Sequence, residues 1–409
     1  MKRILFVDDE PRVLQGLQRM LRPDNQRWET VFVESGPEAL ARLAAQPFDV
    51  IVSDMRMPGM DGPTLLGHVR ERHPEVIRLV LSGHFEMQAA LRAVPVAHQF
   101  LAKPCSPQEL RGAIERACSL SSLLVDEKLR QAIGAIGELP SPPRTCMLLL
   151  QELSNPETSF SRVAGIVEQD VGLAAKVLQL VNSAFFGLTH ELATVHKAVN
   201  YLGIEVLRQL VTSVEILRTF RPAVAFGTFN LEDLEKHSRL AAGIAAQMPV
   251  SGDVAVPVLA ALLHDVGQLV LATRLQDQFA RAWEVACETG RPLHTVEQEL
   301  NGVTHAEAGG FLLGLWGLPH VVVEAVTRHH QPLGRPEASR VLSPAAAVQV
   351  ADALAHEYFP GTTRATHPAL PTPDLQYLEE LGVADQLPAW REKAEQLASR
   401  CTVEPHAKS

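Results

Sequence analysis

The chain has 409 residues, a formal net charge of -10 and a hydrophobic share of 46%, which is more material than one ordinary core needs, so at least two domains are expected. Its charged share of 21% is that of a globular protein, and the acidic balance excludes a broad basic footprint for nucleic acid, so no DNA partner is expected. Cys105, Cys118, Cys146, Cys287 and Cys401 are scattered without CxxC spacing, which excludes a zinc ribbon and points to reduced thiols in the cytoplasm.

Residues 1–118 alternate apolar runs with helical stretches. The runs RILFVDD, TVFVES, DVIVSD, VIRLVLSG and HQFLAKP read as buried strands, and EPRVLQGLQRML and PEALARLAA carry helical periodicity. This alternation predicts an α/β doubly wound parallel five-stranded sheet, flavodoxin-like, with its ligand crevice beyond the carboxyl ends of the strands. Each end bears a polar group: Asp8 and Asp9, Asp54, Ser82 and Lys103. Carboxylates brought together repel one another unless a cation lies between them, and hard oxygen ligands suit Mg²⁺. Asp54 closes a buried run and precedes the loop MRMPGMDG, which presents its carboxylate for in-line attack on an incoming phosphoryl group. Lys103 can pair with phosphoryl oxygens, Ser82 can donate a hydrogen bond to them, and Pro104 offers a cis peptide that would aim the ammonium.

From Lys2 to Ala117 this constellation resembles the receiver domain of bacterial response regulators. The resemblance implies that Asp54 accepts the phosphoryl group, that Asp8 and Asp9 bind Mg²⁺ with a backbone carbonyl from Arg56, and that Ser82 and Lys103 sense the phosphate. Phe100, three residues before Lys103, takes the position of the switch aromatic. A cognate sensor histidine kinase or phosphotransfer protein is implied as phosphodonor. Receivers often self-associate, so a homodimer is an open option.

From Ser106 the stretch PQELRGAIERACSLSSLLVDEKLRQAIGAI is helical, with Ser106 as N-cap, Glu109 three residues on, Ser119 to Ser122 as a weak spot and LPSPP as the stop. Residues 119–138 form a helical linker that either passes rotations between domains or serves as a spacer. From Leu139 to Phe359 helical periodicity dominates, as in FSRVAGIVEQDVGLAAKVLQLVN and EVLRQLVTSVEILRTF, with no strand run, which predicts an all-α domain. Met147 and Leu148 to Leu150 are expected in its core. The segment NSAFFG, Asn182 to Gly187, reads as a helix end with Gly187 in a left-handed cap. The apolar run Val254 to Leu263 is too short to span a bilayer, so no membrane association is expected. In residues 360–409 a Pro- and Thr-rich loop precedes a helix, with VADQLPAWREKAEQL packing on the helical domain and the last residues frayed.

The chemistry-bearing residues of this second domain are His237, the doublet His264-Asp265, His305, the pair His329-His330 and Asp352. Imidazoles and carboxylates at helix ends can enclose one or two transition-metal ions such as Fe, Mn or Zn, and a bridging water would become a nucleophile near neutral pH. His294, His320 and His356 read as ordinary satisfied polar residues. Through its opening ELPSPPRTCMLLLQEL, NSAFFG and the YLG of Tyr201 to Gly203, the segment resembles the HDOD domain, a helical HD-superfamily-like output module of bacterial signalling proteins.

The core set of HD-superfamily phosphohydrolases matches His237, His264, Asp265 and Asp352 in order, and His305 with His329-His330 match the additional ligands of HD-GYP cyclic-di-GMP phosphodiesterases. Two departures count against catalysis. QPLGRPEAS follows His329-His330 in place of the HHExxDGxGYP signature, and Gln268 stands where related hydrolases carry a Lys. The resemblance implies an output acting mainly through contacts with an unidentified downstream signalling protein. The second reading is a phosphorylation-gated, metal-dependent phosphohydrolase of a nucleotide or cyclic dinucleotide.

Overall fold

A computed structural model describes residues 1–82, 96–123, 158–182, 192–204, 229–331, 340–358 and 372–402, with short pieces and single positions between them. Residues 183–187 of the NSAFFG segment, Cys146, Met147, Leu150 and the 359–371 loop lie outside the described residues.

Strands β1 (Lys2–Val7), β2 (Trp28–Val33), β3 (Val50–Asp54), β4 (Ile77–Ser82) and β5 (Gln99–Ala102) pair in parallel in the order β2-β1-β3-β4-β5. Every residue of β3 and β4 is buried, as the continuous apolar runs require of strands covered on both faces. Helices α1 (Pro11–Leu21), α2 (Gly36–Ala45), α3 (Gly62–Arg72) and α4 (Pro107–Leu123) flank the sheet. Register brings the strand ends level: Val7 lies opposite Ser53, Asp54 opposite Leu81 and Ser82 opposite Ala102. The polar residues that follow therefore emerge on one rim.

Helix α4 begins with a reciprocal cap, Glu109 N donating to Ser106 Oγ at 3.2 Å and Ser106 N to Glu109 Oε2 at 2.9 Å. It runs through Ser119 to Ser122 without a break. The rest of the connector lies largely outside the described residues.

The second domain is helical, with α5 (Phe160–Val167), α6 (Val171–Val181), α7 (Leu231–Ala245), α8 (Ala255–Leu263), α9 (Val266–Arg274), α10 (Gln276–Thr289), α11 (Leu293–Asn301), α12 (His305–Leu315), α13 (His320–Arg328), α14 (Pro344–Tyr358), α15 (Leu375–Leu381) and α16 (Leu387–Thr402). Helix α7 packs on α8, α14 and α16, and α12 packs on α9 and α13. The C-terminal helix thus sits on this domain, as its apolar spacing predicts.

Four expectations need correction. A short antiparallel pair, Ala225–Phe226 with Phe229–Asn230, interrupts the all-α pattern. The long stretch from Phe160 breaks at Asp170, whose buried side chain accepts from Leu173 N at 2.8 Å and so starts α6. Leu148 is 39% exposed, whereas Leu149 is fully buried. The apolar run at Val254 extends through α8 and α9 to Arg274, 20 residues from Ala255, a span long and apolar enough by length and composition to cross a membrane but mostly buried inside the protein.

Candidate functional site

On the sheet rim, Asp8 and Asp54 are buried, and Lys103 Nζ reaches both, Asp8 Oδ2 at 2.7 Å and Asp54 Oδ1 more closely. Asp54 Oδ2 accepts from Arg56 N at 2.8 Å, and Asp8 Oδ1 accepts from Glu10 N at 3.0 Å. Backbone turns thus aim both carboxylates into the crevice. Burial pushes the Asp54 carboxyl above its usual range, against the pull of Lys103 and the Arg56 amide. Burial also works against the Lys103 ammonium, but its pairing with Asp54 and Asp8 outweighs this and holds it charged. Ser82, 1% exposed, sits at the end of β4, and its carbonyl accepts from Lys103 N at 2.7 Å. Phe100 is buried behind the rim, and the Lys103–Pro104 peptide is cis. Asp9 stands half-buried beside Asp8. One ammonium bridges two carboxylates that would otherwise repel, and a hard divalent cation suits the same oxygen set.

All seven histidines and aspartates singled out in the second domain converge. His237 Nε2 lies 2.9 Å from Asp352 Oδ1, and His264 Nε2 lies 3.3 Å from Asp265 Oδ2 and 3.4 Å from Asp352 Oδ1. Asp265 Oδ1 is 3.3 Å from His305 Nε2 and 3.8 Å from His329 Nε2, and His305 Nε2 is 2.9 Å from His330 Nε2. Potential ligand atoms lie within 4.8 Å of one another in three sets, which are His237, His264 and Asp352; His264, Asp265 and His329; and His305, His329 and His330.

The helix ends fix the tautomers. His264 Nδ1 donates to Ala261 O at 2.7 Å and His329 Nδ1 to Val326 O at 2.6 Å, each the carbonyl one turn back. His305 Nδ1 donates to Glu297 Oε2 at 2.6 Å. All three rings then turn their Nε2 atoms to the cluster, the arrangement that orients metal-binding imidazoles. The Nε2 atoms of His264 and His329 are buried without a hydrogen-bond partner among the described residues. Buried ring nitrogens converging beside two carboxylates fit a divalent metal with borderline nitrogen and oxygen ligands, which would take the place of any proton on Nε2.

Burial works against every charge here, but Asp265 and Asp352 lift His264 well above its ordinary value. Burial and His356 push His237 down to about 4, and burial with His264 and His305 pushes His329 down to about 3.

Three participants escaped the sequence reading. His356, taken as an ordinary polar residue, has Nδ1 2.9 Å from Asp352 Oδ1 and its ring 4.2 Å from that of His237. It lies four residues after Asp352 on α14, and that i,i+4 spacing was a usable signal. His294, also read as ordinary, stacks on His330 at 4.1 Å. Glu297 is fully buried and accepts from both His305 N and Nδ1. Neither has a local signal, since each contact crosses between helices. His320 is exposed.

Close helix approach sets this geometry. A Cβ at Gly267, two residues after Asp265, would fall on the His305 carbonyl oxygen, and one at Gly310 on Thr327 Oγ1. Only glycine lets α12 meet both α9 and α13 at these points.

A parallel α/β domain with an acidic crevice, followed by a helical domain enclosing histidines and aspartates, is the build of a two-domain signalling protein. Residues 4–115 match the response regulator receiver domain and residues 139–332 match the HDOD domain, so the chain is a response regulator with a receiver followed by an HDOD output. It is 26% identical over 202 residues to an uncharacterized protein of Treponema pallidum (strain Nichols), covering 49% of this chain and 39% of that one. It is 37% identical over 125 residues to the hydrogenase transcriptional regulatory protein HoxA of Cupriavidus necator, covering 30% and 25% of the two chains. With the DNA-binding transcriptional regulator NtrC of Salmonella typhimurium it shares 38% over 117 residues, 28% and 24% of the two chains. The chain thus spans at most 39% of the length of these relatives. Among solved structures, the MmoQ response regulator of Methylococcus capsulatus is 21% identical with a TM-score of 0.48, covering 64% of this chain and 98% of that one. The receiver of an HD domain-containing protein of Pseudomonas fluorescens is 31% identical with a TM-score of 0.28, covering 30% and 89%.

Proposed function

We propose that Asp54 accepts a phosphoryl group from a sensor histidine kinase or phosphotransfer protein and that the HDOD domain relays the change through protein contacts. The observation that carries this reading is Lys103 bridging Asp54 and Asp8 in a buried crevice. One Asp54 oxygen forms a bond to phosphorus as the bond to the donor's leaving atom breaks. Burial makes that carboxylate a stronger base and hence a better nucleophile. Lys103 then exchanges its carboxylate partners for phosphoryl oxygens, and Ser82 at the neighbouring strand end donates to another. Mg²⁺, held by Asp8, Asp9, Asp54 and the Arg56 carbonyl, would neutralise the charge that gathers on the phosphoryl oxygens. The cytoplasm is the compartment this reading assigns. Replacing Asp54 with Asn abolishes Mg²⁺-dependent labelling by a small phosphodonor; labelling that persists removes the assignment.

For the helical domain the reading is a divalent metal, Fe, Mn or Zn, held by His237, His264, Asp265, His305, His329, His330 and Asp352, where it supplies a fixed positive charge. The unmet Nε2 atoms of His264 and His329 support it. Gln268 offers no cation for a substrate phosphate, which favours a structural and regulatory role over hydrolysis. Metal content of the purified protein and of His264→Ala, alongside nucleotide hydrolysis assays, separates the two. Bound metal without turnover supports the relay, and turnover lost in His264→Ala overturns it in favour of a phosphohydrolase.

A further inference from the structure

The receiver and the output touch directly, at the opposite end of β5 from Lys103. Gln99, the first residue of β5, donates from Nε2 to Gly314 O at 3.3 Å, and its side chain lies against Gly317 just beyond α12. Gln179 of α6, 1% exposed, donates from Nε2 to Ala97 O at 3.3 Å and His98 O at 3.1 Å, the two residues leading into β5. Lys176, one turn earlier, lies 4.6 Å over the ring of Trp316, and both are buried. Helix α4 packs along α12.

Helix α12 is also the backbone of the histidine cluster. It starts at His305, meets α9 through Gly267 and meets α13 through Gly310, so it contacts the helix that follows His264-Asp265 and the helix that precedes His329-His330. Over its 11 residues it is about 16 Å long, a packed rod with the receiver at one end and a candidate metal ligand at the other. Strand β5 is the second rod. Among the described residues it is an edge strand paired to β4, with Lys103 anchored to Asp54 and Asp8 at one end and Gln99 bonded to α12 at the other.

We propose that the contact of Gln99 and Gln179 across this docked face couples the two sites, so that occupancy of the Asp54 crevice and metal occupancy at His305 change each other's affinity through β5 and α12. The coupling rests on the metal reading of the cluster. When Lys103 leaves Asp54 for a phosphoryl group, the pull on β5 changes, and the Gln99 contact passes that change to the C-terminal end of α12. Gln179 Oε1 is buried without a hydrogen-bond partner among the described residues, so the interface they form is incompletely satisfied and suited to giving way. Linkage requires the effect to run equally in both directions.

The test uses the full chain in saturating Mg²⁺, with beryllofluoride as the phosphoryl mimic at Asp54 and Zn²⁺ as the probe of the cluster. The Zn²⁺ dissociation constant shifts about fivefold or more when beryllofluoride is added, and the beryllofluoride constant shifts by the same factor when Zn²⁺ is added. In the Gln99→Ala, Gln179→Ala double variant both ligands still bind and the factor falls to about one. A wild-type factor of one with both ligands bound overturns the proposal, and so does a double variant that keeps the wild-type factor. If Zn²⁺ does not bind at all, the metal reading fails separately, and amide exchange in residues 305–315 then decides the coupling. Exchange altered by beryllofluoride in the wild type but not in the double variant supports it, and exchange unaltered in the wild type overturns it.

Discussion

Replacing Glu297 with Gln tests whether the cluster is built for a metal rather than for a proton. Glu297 Oε2 lies 2.6 Å from His305 Nδ1 and 2.8 Å from His305 N, with the carboxylate fully buried. Burial pulls the His305 imidazole down, but Glu297 and Asp265 outweigh it and hold the ring at about 10, so in the metal-free protein the ring is protonated at neutral pH. A metal must displace that proton. Glu297 attracts both, across the width of the ring, at about 6 Å for a proton on Nε2 and about 7 Å for a dication at an ordinary zinc–nitrogen distance. At an effective dielectric of about 20 the attraction is about 3 kcal/mol for the proton and about 5 kcal/mol for the dication. The charge of the metal outweighs its greater distance. Removing the carboxylate charge therefore weakens metal binding by the difference, about 2 kcal/mol or about thirtyfold, within the range known for outer-shell partners of metal-bound histidine. Chelator-competition titration of the full chain with Zn²⁺ measures it, with Glu297→Asp as the charge-conserving control. Unchanged or tighter binding in Glu297→Gln would refute the reasoning, because the carboxylate would then serve the proton at least as well as the metal.

Gly267→Ala forces α9 away from α12 and destabilises the helical domain by about 1–3 kcal/mol or more, read by urea unfolding, with loss of bound metal; an unaffected midpoint would show that the helices are not seated on this contact. His237, held at about 4, and His329, held at about 3, take up protons on unfolding below their ordinary value of 6.5, so the unfolded state binds more protons there. Stability of the metal-free protein then declines as pH falls from 6.5, by about 1.4 kcal/mol per unit for each ring, while His305, raised to about 10, gives the opposite slope above 6.5. Urea midpoints across this range check it, and a profile flat below 6.5 would mean that these rings are not buried neutral. A short Gly-Ser insertion after Leu123 leaves the response of residues 305–315 to beryllofluoride intact; a lost response would assign the signal to the connector.

The receiver was legible because its chemistry is local to strand ends. Asp8, Asp54 and Lys103 each follow a buried apolar run, and parallel pairing in register brings such ends together whatever the loops do. In the cluster, the ordered histidines and aspartates were legible as a set, and His356 could have been added from its spacing to Asp352. Glu297 and His294 could not, since only the packing of α11 beside α12 and α13 gives them meaning. The break at Asp170 was hidden because a buried N-terminal carboxylate and a polar helix face look alike in periodicity. Leu148 shows the converse, an apolar residue next to a buried Leu149 that packing leaves outside. Least legible of all was the docked face. Gln99 and Gln179 are commonplace polar residues in sequence, and their role comes from backbone carbonyls far along the chain.

That face also bears on whether the connector passes a rotation or merely spans a gap. Arg78, buried at the start of β4, donates from Nη2 to Gly134 O at 2.5 Å, and His98 Nε2 lies 3.4 Å from the same oxygen. A Cβ at Gly134 would strike Pro74 O, so this residue of the connector is seated tightly on the base of the receiver. Burial lowers the Arg78 guanidinium to about 9, still charged at neutral pH, and its bonds to Val96 O at 2.6 Å and Val76 O at 3.0 Å lock it into the same body. At Gly134 the chain is therefore fixed to the receiver rather than free to turn against it. The path proposed for the signal does not use the connector: it runs from Lys103 along β5 to Gln99, across to Gly314 and back along α12 to His305. Coupling over such a distance needs contiguous packed elements, and these two supply them without the connector.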